Sequence, residues 1–320
     1  MRPAGSRPVI FGMVTTSRSH CYTHVALDSF ARWTSLESGD RFYLIDNNAD
    51  FELDSRLTAQ PATAAFSVRL ECIRNAGPRG FSANANQLIE RALATQSDLI
   101  FMNNDLVFTK DWLLPLLAGE ASIVSPLCNR DVQYALSAVI PKTSHVSHVF
   151  ALHAVMELKE YLDSPACFDA IVECHRKTAD GYAPTLHVPF FCIRLPFAVL
   201  AQVGKFDERF GNGGGEDYDY GLRAYLAGFD IRVSLASFIL HFQGKSSWAG
   251  GETKEEQLKR EEQFFRHFIA KWGNDLFELV LRENTAMLKK APPITEEAPF
   301  DSYRGVIRTL MGSLSPAIKM

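Results

Sequence analysis

The chain has 320 residues, 47% of them hydrophobic, enough to bury one large core or a main domain with a smaller appended unit. Its 33 basic and 37 acidic residues leave a net charge of −4, so no broad positive field is present to hold nucleic acid through its phosphates. Six cysteines include no CxxC pair and no compact framework of the kind that staples small secreted domains, and they read as reduced, mostly buried thiols.

The pattern along the chain begins with alternating strand and helix signals. PVIFGMVT is followed by a helical stretch around 22–37, then RFYLIDN, SVRLECI, a helix near 80–95, DLIFMNN, a helix from 110, and ASIVSP. Such alternation predicts an α/β fold with a mainly parallel sheet flanked by helices. Continuous apolar runs such as VIFGMV and LIFM fit strands covered on both faces. The run Val9–Val14 is too short for a signal-peptide core, and no stretch approaches the ~18 apolar residues of a spanning helix. A cytoplasmic protein is expected, with peripheral attachment at the inner membrane face left open.

From about 127 to 184 the pattern turns to a polar loop and two helices, around 148–163 and 166–178, which reads as an insertion over the sheet edge at 129–184. TLHVPFFCIR then resumes as a strand, LPFAVLAQVG as a short helix ending at Gly204, and FDERFGNGGG as a loop opening the helix EDYDYGLRAYLAGF. FDIRVSLAS and FILHF follow as strand-like segments. Residues 252–291 carry Leu258, Phe264, Phe265, Phe268, Ile269 and Trp272 at helical spacing and are expected to pack as amphipathic helices on a main domain of 1–251. In the tail, 292–320, the positions Tyr303, Val306, Ile307, Leu310 and Met311 suggest a short amphipathic helix, free to pair two chains as a homodimer or to touch a membrane.

Four polar signatures stand at the ends of apolar runs or open a helix: IDNNAD at 45–50, MNND at 102–105, GNGGGEDYD at 211–219 and LHF at 240–242. Ligands of open α/β sheets bind at the carboxyl ends of the strands. Asp46 there can accept hydrogen bonds from a base or ribose, although Asp and Asn at a strand end also make ordinary turns. Asp105 with an Asn carbonyl supplies oxygen ligands for a hard divalent cation, again beside a turn reading. Carboxylates in a first helical turn gain ~0.3–1 kcal/mol from the dipole, but three glycines before Glu216, Asp217 and Asp219 carry an entropic cost that a structural loop need not incur. Asp219 is placed to brace Arg223 one turn on. GKSSW does not make a P-loop, because position 239 is Ile239 rather than glycine, and the turn TTSRSH lacks a dinucleotide-binding fingerprint.

In this order the motifs resemble the GT-A fold glycosyltransferases, above all the inverting family 2 enzymes. The segment GKFDERFGNGGGEDYDYGLRAYLAGFDIRV is the most specific part, with Phe206, Asp207, Glu208 and Phe210 matching the family's lead-in to the acidic pair, and the GGGED core is also similar to the β-1,4-galactosyltransferases. The resemblance covers roughly 8–128 and 186–248. It implies transfer of a sugar from a nucleotide diphosphate sugar, UDP- or dTDP-linked, to a hydroxyl of a glycan, lipid-linked or protein acceptor. It implies Asp217 as general base and Glu216 orienting the acceptor. It further implies donor contacts from Thr15, Ser17, Asp46, Asn48, Arg79, Asn86, Asn103, Asn104 and Lys245, with Ser246 and Ser247 beside them, and a divalent cation, Mn2+ or Mg2+, on Asp105 and His241. The family's metal motif usually opens on Asp where this chain has Asn103. That departure sustains a second reading, a catalytically idle domain that binds a nucleotide sugar or another protein. A nucleotidyltransferase fits less well, because TTSRSH is not a glycine- and arginine-rich loop.

Overall fold

The computed structural model describes residues 2, 6–53, 66, 69–119, 121–129, 157–178, 180–242, 244–245 and 253–311. Much of the expected insertion, the helical stretch before 157, Ser246, Ser247 and the tail beyond 311 lie outside the described residues.

Strands β1 (Val9–Thr15), β2 (Arg41–Asp46), β3 (Leu70–Arg74) and β4 (Asp98–Met102) pair in parallel, with β1 between β2 and β4. Helix α1 (His20–Trp33) links β1 to β2, and helix α2 (Phe81–Ala94) links β3 to β4. The period of two divides β1 between two cores: Phe11 and Met13 pack with Phe30 and Phe42 on one face, and Ile10 with Leu88 and Ile89 on the other. That division explains the unbroken apolar runs.

The rest of the chain is less regular. It contains β5 (Leu106–Val107), α3 (Leu113–Leu117), β6 (Ile123–Cys128), α4 (Leu158–Asp163), α5 (Pro165–Thr178), β7 (Tyr182–Pro184) and β8 (Cys192–Leu195). After these come α6 (Phe197–Val203), α7 (Glu216–Leu226), β9 (Ile231–His241), α8 (Lys254–Trp272), α9 (Asn274–Val280) and α10 (Pro299–Leu310). Among the described residues the sheet runs β3-β2-β1-β4-β8-β6-β9-β5, with β7 also on β9.

Several expectations are refined. The sheet is mixed, because β8 runs antiparallel to both β4 and β6. Of TLHVPFFCIR only the last three residues belong to that strand, Cys192–Leu195; Pro189, which has no N–H to offer a ladder, sits in an irregular segment before it. FDIRVSLAS and FILHF are one strand, with a register shift where β9 passes Pro126 and Leu127 of β6. Cys128 and Cys192 are buried, but Cys21 and Cys72 are exposed, so burial is not the rule among the described cysteines.

Helix α8 starts at a capping box in which Thr253 and Glu256 satisfy each other's backbone N–H groups, and it ends at Gly273. Phe268 and Trp272 on α8, with Tyr303, Val306 and Ile307 on α10, join the same core as the central strands. Each such aliphatic or aromatic burial stabilises by roughly 1.5–3 kcal/mol. The apolar face of α10 is therefore spent inside its own chain. No helix among the described residues is long and apolar enough to cross a membrane.

Candidate functional site

The loops that follow β1, β2 and β4 converge where β1 lies between β2 and β4, the point at which chain connections leave in opposite directions. A cavity of about 300 Å³ opens there, and Ser17, Asn48, Arg79 and Asn103 line it together with Asn47 and Asn84. Asn48 receives the backbone N–H of Ser17 at 3.2 Å, so the loop after β1 is pinned by the loop after β2. The Asn103 N–H donates to the Phe191 carbonyl at 2.7 Å.

Five donor candidates do not line this cavity: Lys245, whose backbone N–H is on Asp105, and four that hydrogen-bond within the fold, Asn104 through its amide N–H groups alone, since its Oδ1 is buried without a partner. Asp46 is fully buried and accepts the N–H groups of Asn48 and Phe51, closing the turn after β2. Thr15 pairs its hydroxyl with that of Thr23 at 2.6 Å. Asn104 donates to the hydroxyls of Ser19 and Thr23. Asn86 exchanges hydrogen bonds with both backbone groups of Phe206 and donates to Glu208, tying α2 to the lead-in of the glycine loop.

Two residues outside the sequence candidates shape the cavity wall. The Asn47 side-chain oxygen accepts from Asn75 at 2.8 Å, from the Arg79 N–H at 2.9 Å and from Asn84 at 3.1 Å, while its amide donates to the Arg79 carbonyl at 3.0 Å. Asn84 also donates to that carbonyl. Asn84, Asn86 and Gln87 together on one helix were the available signal: a core-facing stripe does not place amides there unless they are satisfied.

A second cluster sits at the end of β9. Antiparallel pairing sets Leu106 of β5 opposite His241, and the Phe242 N–H donates to the Asp105 carbonyl. His241 Nε2 consequently lies 3.4 Å from Asp105 Oδ1. Both atoms are buried without a hydrogen-bond partner, as is His241 Nδ1, and the imidazole stacks on Phe191. Burial alone would raise the Asp105 carboxyl, yet His241 and the accepted backbone N–H of Lys245 hold it below the usual carboxylate range. The Lys245 ammonium pairs with Glu157 at 3.1 Å.

The third cluster opens α7. Gly211, Gly213, Gly214 and Gly215 all have positive φ, a run that residues with side chains rarely adopt. The turn they make delivers Glu216 and Asp217 to the helix N-terminus. Glu216 is buried and accepts the Gly214 N–H. Asp217 accepts the Tyr218 N–H on Oδ1, and its Oδ2 lies 3.7 Å from His187 Nε2. Burial raises both carboxyls above the ordinary range, and the adjacent Asp217 charge raises Glu216 further. Asp219 takes no part in this opening. It is fully buried and accepts from Arg223, as its spacing predicts, and from Trp272 on α8.

The irregular segment 185–191 joins the three clusters. His187 faces Asp217, the Phe191 carbonyl holds the Asn103 N–H, and the Phe191 ring carries His241.

No protein-family model and no curated protein matches the sequence. Solved structures do match the fold. The chain superposes on the crystal structure of GalNAc-T7 with UDP, GalNAc and Mn2+ with a TM-score of 0.55 and 12% identity, covering 96% of this chain and 55% of that one. It superposes on the mannosyltransferase PcManGT from Pyrobaculum calidifontis in complex with GDP-Man and Mn2+ with a TM-score of 0.50 and 12% identity, covering 98% of this chain and 78% of that one. The chain thus spans little more than half the length of the first. The fold is GT-A.

Proposed function

We propose, from the GT-A fold and the two acidic centres at its sheet edge, that the chain is a metal-dependent glycosyltransferase that inverts the anomeric carbon it attacks. The observation that carries this reading is the buried Asp105–His241 pair, whose orphaned oxygen and nitrogen stand 3.4 Å apart. Buried polar atoms without partners are costly unless a ligand completes them.

An oxygen and an imidazole nitrogen suit Mn2+ or a similar cation. Among the described residues no three His, Cys, Asp or Glu side chains cluster as a metal cage. Asp105 and His241 would therefore hold the ion jointly with the oxygens of a nucleoside diphosphate. A bound cation would stabilise the negative charge that develops on the departing diphosphate.

The protein's own residues supply the rest. Ser17, Asn48, Arg79 and Asn103 offer donors and acceptors to a nucleoside diphosphate, UDP or dTDP, and Lys245, held to Asp105 by its backbone N–H, would bring its ammonium from Glu157 to the phosphates. The acceptor hydroxyl oxygen attacks the anomeric carbon, the bond from that carbon to the diphosphate oxygen breaks, and the hydroxyl proton passes to the Asp217 carboxylate. Glu216, held by the Gly214 N–H, stands beside the acceptor as an orienting group. The lead-in Phe206–Phe210 supports family 2 as the nearest class. The free, exposed Cys21 and Cys72 suit a reducing compartment, and we assign the chain to the cytoplasm.

The neutral Asn103 favours one other reading, a domain that binds a nucleotide sugar without transferring it. Thermal stability with UDP, dTDP and GDP and their sugars, with and without Mn2+, separates the possibilities when wild type is compared with Asp105→Ala. A Mn2+-dependent rise lost in Asp105→Ala, together with a product of inverted anomeric configuration by NMR, is expected. Binding without product in the presence of an acceptor panel would favour the idle domain, and no rise with any nucleotide would remove both readings.

A further inference from the structure

The segment before β8 contains a side chain that the donor site leaves unused. His187 is 3% exposed, and its ring lies flat on Tyr218 with centroids 3.7 Å apart. Its Nε2 is buried without a hydrogen-bond partner and is 3.7 Å from Asp217 Oδ2. The other carboxylate oxygen, Oδ1, is already committed to the Tyr218 N–H at 2.8 Å. Oδ2 is thus the oxygen left to receive a proton, and Nε2 is the polar side-chain atom turned toward it.

We propose that His187 is the positioning residue for Asp217, its Nε2–H fixing Oδ2 so that the oxygen's remaining lone pair faces the acceptor hydroxyl. This rests on the transferase reading above. The present separation is longer than a hydrogen bond by roughly half an ångström, and such contacts commonly tighten when substrate is bound. The imidazole keeps its own proton throughout. The acceptor proton goes to Oδ2, the acceptor oxygen bonds to the anomeric carbon, and the diphosphate leaves with the electron pair of the broken bond.

The surroundings favour a neutral donor over a cation. Burial pushes the His187 imidazole down to about 3, so it carries no charge at working pH. The groups facing Asp217 are His187 and the Phe190 backbone from the segment 185–191, with Glu216 and Tyr218 from its own helix. Arg260, on α8, acts on the neighbouring Glu216 and donates to the Gly213 carbonyl. A neutral N–H favours the ionised carboxylate without adding a charge that would attract the departing diphosphate toward the wrong side. The stack on Tyr218 holds the ring plane, and the fixed plane sets the direction of the N–H.

The test compares wild type with His187→Leu and His187→Asn, measuring kcat, donor KM and the pH dependence of kcat. His187→Leu is expected to lose about 10- to 100-fold in kcat with donor KM unchanged, and its acid limb should move to higher pH by about one unit. His187→Asn, which retains an N–H donor, should recover part of both. An acid limb in the same place for all three proteins would overturn the proposal, since a residue that only fills the core would lower activity without moving it.

Nitrogen-15 NMR of the histidine ring supplies a readout independent of turnover and of how well the His187 variants fold. The Nε2–H tautomer is expected in wild type, with ring shifts that change in Asp217→Asn. An Nδ1–H tautomer, or shifts indifferent to Asp217, would overturn the pairing. If wild type turns over no donor while this NMR signature holds, the transferase reading fails and the His187–Asp217 contact stands.

Discussion

The ring of Phe264 stands where a side chain on Gly214 would have to go. A Cβ built on Gly214 would lie 2.6 Å from both Cδ1 and Cε1 of that ring, and the backbone there has φ +123°. The same helix touches the loop again through Arg260, which donates to the Gly213 carbonyl at 3.1 Å. The acidic pair at 216–217 is therefore presented by a loop whose shape is set from two sides, by glycine conformation and by the helix 254–272.

Gly214→Ala is expected to destabilise the fold by about 2–4 kcal/mol, combining the clash with the strain of positive φ. Phe264→Leu in the same chain should return part of that loss by opening space, but not the backbone term. Urea unfolding of the single and double variants checks this. Simple additivity of the two changes would show that the ring and the glycine are not coupled.

Lys271 ties the same helix to α7. Its ammonium lies 2.6 Å from Asp219 Oδ1 and 2.9 Å from Asp207 Oδ2. Burial by itself would raise the Asp207 carboxyl, yet hydrogen bonds from Arg209, Lys271 and His267 hold it far below its ordinary range. A depressed carboxylate stabilises the fold above its unfolded pKa of about 4, and that contribution is lost as pH falls through the folded value. Lys271→Met should cost roughly 1–3 kcal/mol at pH 7, because the buried Asp219 and the half-buried Asp207 each lose one charged partner but keep Arg223 and Arg209. The difference from wild type should shrink below about pH 4, as unfolding curves at several pH values will report.

Asn47→Ala removes the acceptor shared by Asn75, Asn84 and the Arg79 N–H. Buried donors left unmade cost about 1–3 kcal/mol each, so a loss of roughly 2–4 kcal/mol is expected after local relaxation. Because the same bonds hold the chain at Arg79 against the cavity, nucleotide affinity should fall about tenfold even where the variant is fully folded. Calorimetric titration at a temperature well below the unfolding midpoint separates the two effects; unchanged affinity would mean that the amide network serves stability alone.

The paired carboxyls at the start of α7 predict a stability that declines with rising pH. Their folded pKa values are raised, so the folded chain keeps protons that the unfolded chain has released. The associated stability is complete below the unfolded pKa of about 4 and disappears as pH climbs through the folded values. Asp217→Asn deletes one of two adjacent carboxylates, the partly exposed one beside the buried Glu216. It should abolish most turnover, by at least about 100-fold, and yet stabilise the fold by about 1–3 kcal/mol at pH 8, with the gain fading toward pH 4. A pH-independent change in stability would count against this electrostatic account.

The sequence by itself determined the features that depend on short stretches of chain. The apolar runs at Val9–Thr15 and Asp98–Met102 specify doubly covered strands, Gly204 ends its helix, and the glycines before Glu216 announce a loop that only their φ values permit. Strand-end polarity likewise brought Ser17, Asn48 and Asn103 to one edge, because parallel strands necessarily end on the same side.

The tertiary structure decided which polar groups face the cavity and which are consumed by the fold. Asp46 and Asn48 are two residues apart in one turn, but the carboxylate folds back on the Phe51 N–H while the amide reaches Ser17. Local spacing cannot choose between those outcomes, since both satisfy turn chemistry. The meetings of Asp105 with His241, Asp217 with His187 and Gly214 with Phe264 depend on strand register and helix docking over long separations in sequence. Those are set by the packing of the whole core, and no pattern confined to one segment contains them.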